Sequence, residues 1–229
     1  MSIISQNPSK QSKSKFLVVD HNKTILAETS QALKENYPQV EILTAVDAQS
    51  AESLFEQYSP KLVVLDLDLP DNSSSPANFK VGIKLLKPLM QAKNAPNIAV
   101  SSTKVMSLVR VRPLIYSYQS SFAARDKCLS NQEILRLVDF AFKGSRGLID
   151  LPLQVRSCPE FDPKLIKMLE LKFEEGFTEK AIAKQMGVKI RTLHNYWRQL
   201  EKLLGIHEEP GKDLKIKIEI AARKIGLIC

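Results

Sequence analysis

Lys61-Leu62-Val63-Val64-Leu65-Asp66-Leu67-Asp68-Leu69-Pro70 decides how the chain is read. An apolar run ends in a carboxylate, and a proline stops the segment shortly after it. A run of this kind predicts a strand buried on both faces of a parallel sheet, with Asp66 at its carboxyl end. In open α/β sheets that edge is where ligands and chemistry gather. Asp66 is therefore the first candidate functional residue, and groups that converge on it are sought in the segments on either side.

Residues 16–20, FLVVD, form a second apolar run ending in an acid, Asp20. Residues 22–36 follow with Ile25, Leu26, Ala32 and Leu33 close to helical spacing, and Pro38 ends that helix. Residues 40–44 alternate as a strand, and Asp47 is placed to cap a helix running to Tyr58. Beyond Pro70 come a Ser- and Asn-rich loop, residues 71–80, and a helix over residues 82–92. A fourth strand at residues 97–102 ends in hydroxyls that include Ser102. Residues 103–120 begin helically and are interrupted by Pro113. A fifth short strand is expected at residues 121–124, then an amphipathic helix over residues 131–142. Strands alternating with helices five times predict a doubly wound, five-stranded parallel sheet in an α/β domain. Right-handed crossovers bring Asp20, Asp66 and Ser102 to one edge of it.

That pattern lapses over residues 144–162, where Gly144, Gly147, Pro152 and Pro159 punctuate the chain. A linker is expected there, separating the α/β domain, residues 16–143, from a small all-α domain, residues 163–229. Residues 1–15 are polar with scattered lysines and no apolar core, so they read as a disordered tail and not a secretory leader. No apolar run is long enough to cross a membrane. Cys128, Cys158 and Cys229 are too widely spaced for a zinc site or a disulfide framework, which points to the cytoplasm. The net charge of +8 implies an acidic partner, with nucleic acid the first candidate.

The second half bears that out in its pattern. Residues 176–188 read as a short helix and a glycine turn, and residues 189–204 as a second helix closed by Gly205. On that second helix Ile190, Leu193, Tyr196, Trp197, Leu200, Leu203 and Leu204 share one side. Arg191, His194, Asn195, Arg198 and Lys202 share the other, with no acid among them. Arginine suits guanine, asparagine suits adenine and lysine suits phosphate, so Lys189, Arg191, Thr192, His194, Asn195, Arg198 and Lys202 are the candidate contacts to double-stranded DNA.

Residues 16–143 resemble the receiver domain of bacterial response regulators, the CheY-like fold. The resemblance implies that Asp66 accepts a phosphoryl group from a sensor histidine kinase. It implies that Asp20, Asp66 and the backbone carbonyl of Asp68 hold a Mg²⁺ ion, and that Ser102 bonds the acyl phosphate. Two positions depart from the pattern. His21 stands where a second acid is usual, and imidazole is a poor ligand for Mg²⁺. Arg125 aligns with the phosphate-contacting lysine, with Lys127 two residues on. The loop after Pro70 is also longer than the usual turn.

Residues 175–206 are similar to the LuxR-type output domain of the NarL/FixJ family, through Gly176, Ile182, Ala183, Thr192, Leu193, Leu204 and Gly205. Lys189, Tyr196 and Leu203 depart from it. Residues 218–228 resemble that family's fourth helix, which implies a homodimer formed through Ile218, Ala221, Ala222 and Ile225. The two resemblances together imply a transcriptional response regulator and not an enzyme. One alternative is a pseudo-receiver regulator controlled by a protein partner without phosphorylation. A remote one is a haloacid-dehalogenase-like phosphohydrolase, suggested by Asp66-Leu67-Asp68, although two strands precede this motif where that family expects none.

Overall fold

A computed structural model of the chain describes residues 13–127, 130–143 and 147–228. The sequence-expected tail lies outside the described residues up to residue 12, while Lys15 already belongs to the first strand.

The first half runs β1 (Lys15–Val19), α1 (Lys23–Asn36), β2 (Glu41–Ala45), α2 (Ala48–Tyr58), β3 (Leu62–Leu65), α3 (Phe79–Gln91) and β4 (Asn97–Ser101). It continues through a 3-10 helix (Val105–Val111), α4 (Arg112–Tyr116), β5 (Phe122–Arg125) and α5 (Asn131–Lys143). All strand pairings are parallel, in the order β2-β1-β3-β4-β5-β6, so the sheet has six strands, one more than the sequence suggests. The extra strand, β6 (Ile149–Asp150), comes from the segment expected to be linker, and it pairs with β5. Two residues between a glycine and a proline carry no alternation, so sequence pattern alone cannot mark them as a strand.

Side chains of the central strands alternate between two cores. Phe16, Val18, Leu62, Val64, Ala99 and Ala123 pack under α1 and α5. Leu17, Val19, Val63, Leu65, Ile98, Val100, Phe122 and Ala124 face the other way, towards α2, α3 and the 3-10 helix. β3 is buried on both faces throughout, as its unbroken apolar run predicts. Local capping fixes where helices begin. Asn22 accepts from Thr24 and Ile25, Asp47 from Ser50, and Asn78 from Lys80.

The Asn78 cap starts α3 at Phe79, three residues before the sequence expectation, because a bridge from Leu69 to Asn78 draws the loop back on itself. Gly82 then lies directly on the backbone of Leu67, where a Cβ atom would overlap it. Pro113, expected as an interruption, instead occupies the first turn of α4, where its missing N–H costs nothing.

α6 (Leu153–Ser157) follows β6, and α7 (Pro163–Phe173), α8 (Glu179–Gln185), α9 (Ile190–Leu204) and α10 (Leu214–Lys224) form the second half. The segment between the halves is held closely. Arg112, buried on α4, donates through Nη1 to the carbonyls of Val155 at 3.0 Å, Arg156 at 3.3 Å and Cys158, which are the free carbonyls at the end of α6.

The core under α2 and α3 does not stop at the domain boundary. It runs on through Leu165, Met168, Leu169, Ile182, Leu193, Trp197, Leu200, Ile218 and Ala222. Charged groups ring the junction. Lys80 pairs with Glu170 at 3.1 Å and with Glu174, and Arg110 pairs with Glu170 while donating to the Leu227 carbonyl at 2.9 Å. Burial alone would raise the Glu170 carboxyl, but Arg110 and then Lys80 outweigh it and hold Glu170 below the usual glutamate range. Gly226, at φ +72°, sits so close that a Cβ would lie 2.6 Å from the Ser107 nitrogen.

A shared core predicts one cooperative unfolding transition for the two halves. Calorimetry should show a single endotherm for the native chain. Arg110→Ala, which leaves Glu170 with only Lys80, should lower stability by about 1–3 kcal/mol, and Gly226→Val should separate the transition into two.

Candidate functional site

Two features stand out, at opposite ends of the chain. The first is the edge of the sheet at the carboxyl ends of β1 and β3. Val19 and Leu65 are neighbours in the parallel register, so the next residues, Asp20 and Asp66, are brought side by side. Both are buried, Asp66 at 3% exposure. Asp20 accepts from the Asn22 N–H at 2.8 Å and Asp66 from the Asp68 N–H at 3.1 Å.

Two carboxylates in this position require a cation, and Lys127 provides it. Its Nζ lies 2.7 Å from Asp20 Oδ2 and also contacts Asp66 Oδ2. Burial raises the Asp20 carboxyl above its ordinary value, and the hydrogen bond from Lys127 offsets only part of that. Burial alone would lower Lys127, but hydrogen bonds from it to Asp20 and Asp66 outweigh that and leave its ammonium above the usual lysine range. His21 stands at the rim with Nδ1 3.9 Å from Asp66 Oδ2. Ligand atoms of Asp20, His21 and Asp66 lie within 4.8 Å of one another, a span a metal ion can bridge. The adjoining cavity, of about 90 Å³, is lined by Asp20, Asp66, Ser101 and Lys127 and has room for a small ion and not for an organic substrate.

The other residues singled out from sequence fall around this pocket unevenly. Arg125, aligned with the phosphate-contacting lysine, turns away from the acids to pair with Asp150 of β6 and with the Ala124 carbonyl. That partner exists only because of the sixth strand, so the cation in the pocket is Lys127. Ser102 is fully buried, and its hydroxyl accepts from the Lys104 N–H at 3.1 Å at the entrance to the 3-10 helix. Asp68 lines a separate cleft with Asn78, Phe79, Thr103 and Lys104, so the two acids of the Asp66-Leu67-Asp68 motif do not face one cavity.

The second feature is α9. Thr178 caps α8 by accepting from the Ala181 N–H at 3.4 Å, and Gly187 turns the chain at φ +64° into α9. Lys189 occupies the cap of α9 with no side-chain hydrogen bond, as its residue type predicts, and Gly205 closes the helix in the left-handed region. Leu193, Trp197 and Leu200 are buried, with Trp197 edge-on to Phe173 at 5.9 Å. Lys189, Arg191, His194, Asn195, Arg198 and Lys202 are exposed along one face, and Thr192 is half-buried. Ile190, placed on the inner side by periodicity, is exposed as well.

α10 differs from expectation in the residues it offers. Ile218 and Ala222 are fully buried in the chain's own core, and Ala221 and Ile225 are half-buried. The outward apolar pair is Ile216 at 55% and Ile220 at 63% exposure, one turn apart. A helix whose two sides are both partly apolar does not reveal from sequence which side is covered.

The sequence matches no family model and no curated protein. Solved structures do resemble the fold. RcsB from Salmonella enterica serovar Typhimurium, bound to promoter rprA in the presence of phosphomimetic BeF3-, is 18% identical. Its TM-score is 0.55, over 92% of this chain and 98% of that one. The same regulator bound to promoter P1flhDC gives 17% identity and a TM-score of 0.57, over 91% and 97%. A structure of two RcsB dimers bound to two parallel DNAs gives 18% and 0.55, over 92% and 98%. At this identity the likeness is one of fold, and it extends across both halves.

The two cations near the strand ends should separate cleanly on substitution. Lys127→Ala leaves two buried carboxylates unneutralised and should cost about 2–4 kcal/mol in urea unfolding. Adding Asp66→Asn should recover a good part of the loss. Arg125→Ala, at a more exposed pair, should cost under about 1 kcal/mol.

Proposed function

We propose that the chain is a DNA-binding transcription regulator, with α9 as the reading helix and Asp66 as the phosphoacceptor of a receiver-like half. The observation that carries the DNA reading is the open face of α9. Its Lys, Arg, His and Asn side chains point outward from a helix-turn-helix, and none of them pairs with the first half among the described residues. The RcsB structures, which hold DNA on the same fold, support it. A homodimer on two half-sites would bring Ile216 and Ile220 of the two copies together.

In the first half, a carboxylate oxygen of Asp66 would attack the phosphorus of a donor such as a sensor kinase's phosphohistidine, the donor's bond to phosphorus breaking as the O–P bond forms. Lys127 stands where it would pair with the phosphoryl oxygens. The donor set suits Mg²⁺ in its oxygens and not in its imidazole. Asp20, Asp66 and the Asp68 carbonyl are the residues that would hold the ion, which when bound neutralises charge on the acid and the incoming group.

A second reading is favoured by a specific observation. With Asp66 unmodified, the reading face of α9 is already exposed and the first half grips the back of the second through α7 and residues 226–228. DNA access would then not wait for phosphorylation, and a protein partner would supply control.

Two measurements decide these points. Arg191→Ala and Arg198→Ala should each weaken duplex binding about tenfold and reduce the slope of log affinity against log salt by about one. Unchanged affinity would remove α9 from the interface. Intact-mass analysis after acetyl phosphate and Mg²⁺ should show one added phosphoryl group, lost in Asp66→Ala. Its absence in the native chain, with DNA binding intact, would select the phosphorylation-independent reading.

A further inference from the structure

The reading face of α9 is exposed, but one of its side chains is anchored from behind. His194 Nε2 lies 3.4 Å from Glu179 Oε2. Glu179 is the first residue of α8, and its other oxygen, Oε1, is held by Lys215 Nζ of α10. Lys215 in turn sits over the ring of buried Trp197, 5.5 Å from its centroid. The carboxylate is therefore fixed by α10 and the core before it meets the imidazole. Lys215 is the largest cause holding the Glu179 carboxyl below the usual glutamate range, with burial opposing it and His194 adding to it.

An acceptor at Nε2 has a chemical consequence for the ring. In neutral imidazole one nitrogen carries the proton and the other accepts, and the hydrogen bond at one decides the state of the other. A neutral ring with its proton on Nε2, towards Glu179, leaves Nδ1 as an acceptor. His194 is the fifth residue of α9, between Arg191 and Asn195 on the exposed face. In helix-turn-helix docking the N-terminal part of the second helix meets base edges.

We propose that Glu179 is a positioning residue for sequence reading. It holds His194 so that Nδ1 meets the duplex as an acceptor, and His194 then selects a base that offers an amino donor in the major groove, adenine N6 or cytosine N4. Without Glu179 either ring nitrogen can carry the proton, and guanine or thymine, which present acceptors, are no longer disfavoured. The inference rests on the reading of α9 as a DNA-binding helix.

The test is selection from a random-sequence duplex pool by the full chain, followed by sequencing, for the native protein and for His194→Ala, Glu179→Gln, Glu179→Ala and Lys215→Met. The native chain should enrich adenine or cytosine at one position. His194→Ala and both Glu179 variants should relax that position alone, with about fivefold to tenfold loss of discrimination. Lys215→Met, which loosens the carboxylate without removing it, should relax it less. Retained affinity for an unrelated duplex and a native preference at the other positions identify a folded head. Enrichment of guanine or thymine at that position overturns the proposal. So does relaxation by His194→Ala that the Glu179 variants fail to reproduce, or no response to His194→Ala at all. A native chain that binds no duplex removes the DNA reading itself, an outcome separable from a selected site that ignores Glu179.

Discussion

Two carboxylates buried side by side at the end of a parallel sheet need a positive charge between them, and much of the first half follows from that need. Parallel pairing of β1 with β3 forces Asp20 and Asp66 together, and both are buried from water there. Lys127 reaches in from the turn after β5 and contacts both. The end of β5 must therefore lie beside the acids, which ties the fifth strand and the turn that follows it to the position of the first and third.

Charge and core act together at the junction between the halves. The apolar face of the sheet under α2 and α3 is continued by α7, α9 and α10, so the helical half completes its core on the α/β half. Lys80 and Arg110 then pin Glu170 and Glu174 at the rim. β6 and α6 fill the space that a free linker would leave, with Arg112 bonding the end of α6. This geometry holds the back of the helix-turn-helix and leaves the basic face of α9 uncovered.

A good part of this was legible in the residues themselves. The run ending at Asp66 is buried on both faces as its composition demands, and the parallel pairing of the first five strands follows from their alternation with helices. The α9 face follows from periodicity alone, with Gly205 as its cap. Misplacements had specific physical causes. Arg125 looks like the pocket cation until Asp150 of β6 claims it. Gly82 looks like a helix start until Asn78 caps the helix three residues earlier. Ile218 and Ala222 look like an exposed dimer face until the rest of the chain buries them and leaves Ile216 and Ile220 outside.

The sequence by itself determined most element types, the acid at the end of β3 and the basic character of α9. These depend on periodicity and side-chain chemistry, which act between near neighbours. Only the tertiary structure decided which cation meets Asp66, which side of α10 is free, that the linker adds a sixth strand and that Glu179 meets His194. Each of these depends on a contact between segments far apart in the chain, where several residues of the right chemistry compete and packing alone selects among them.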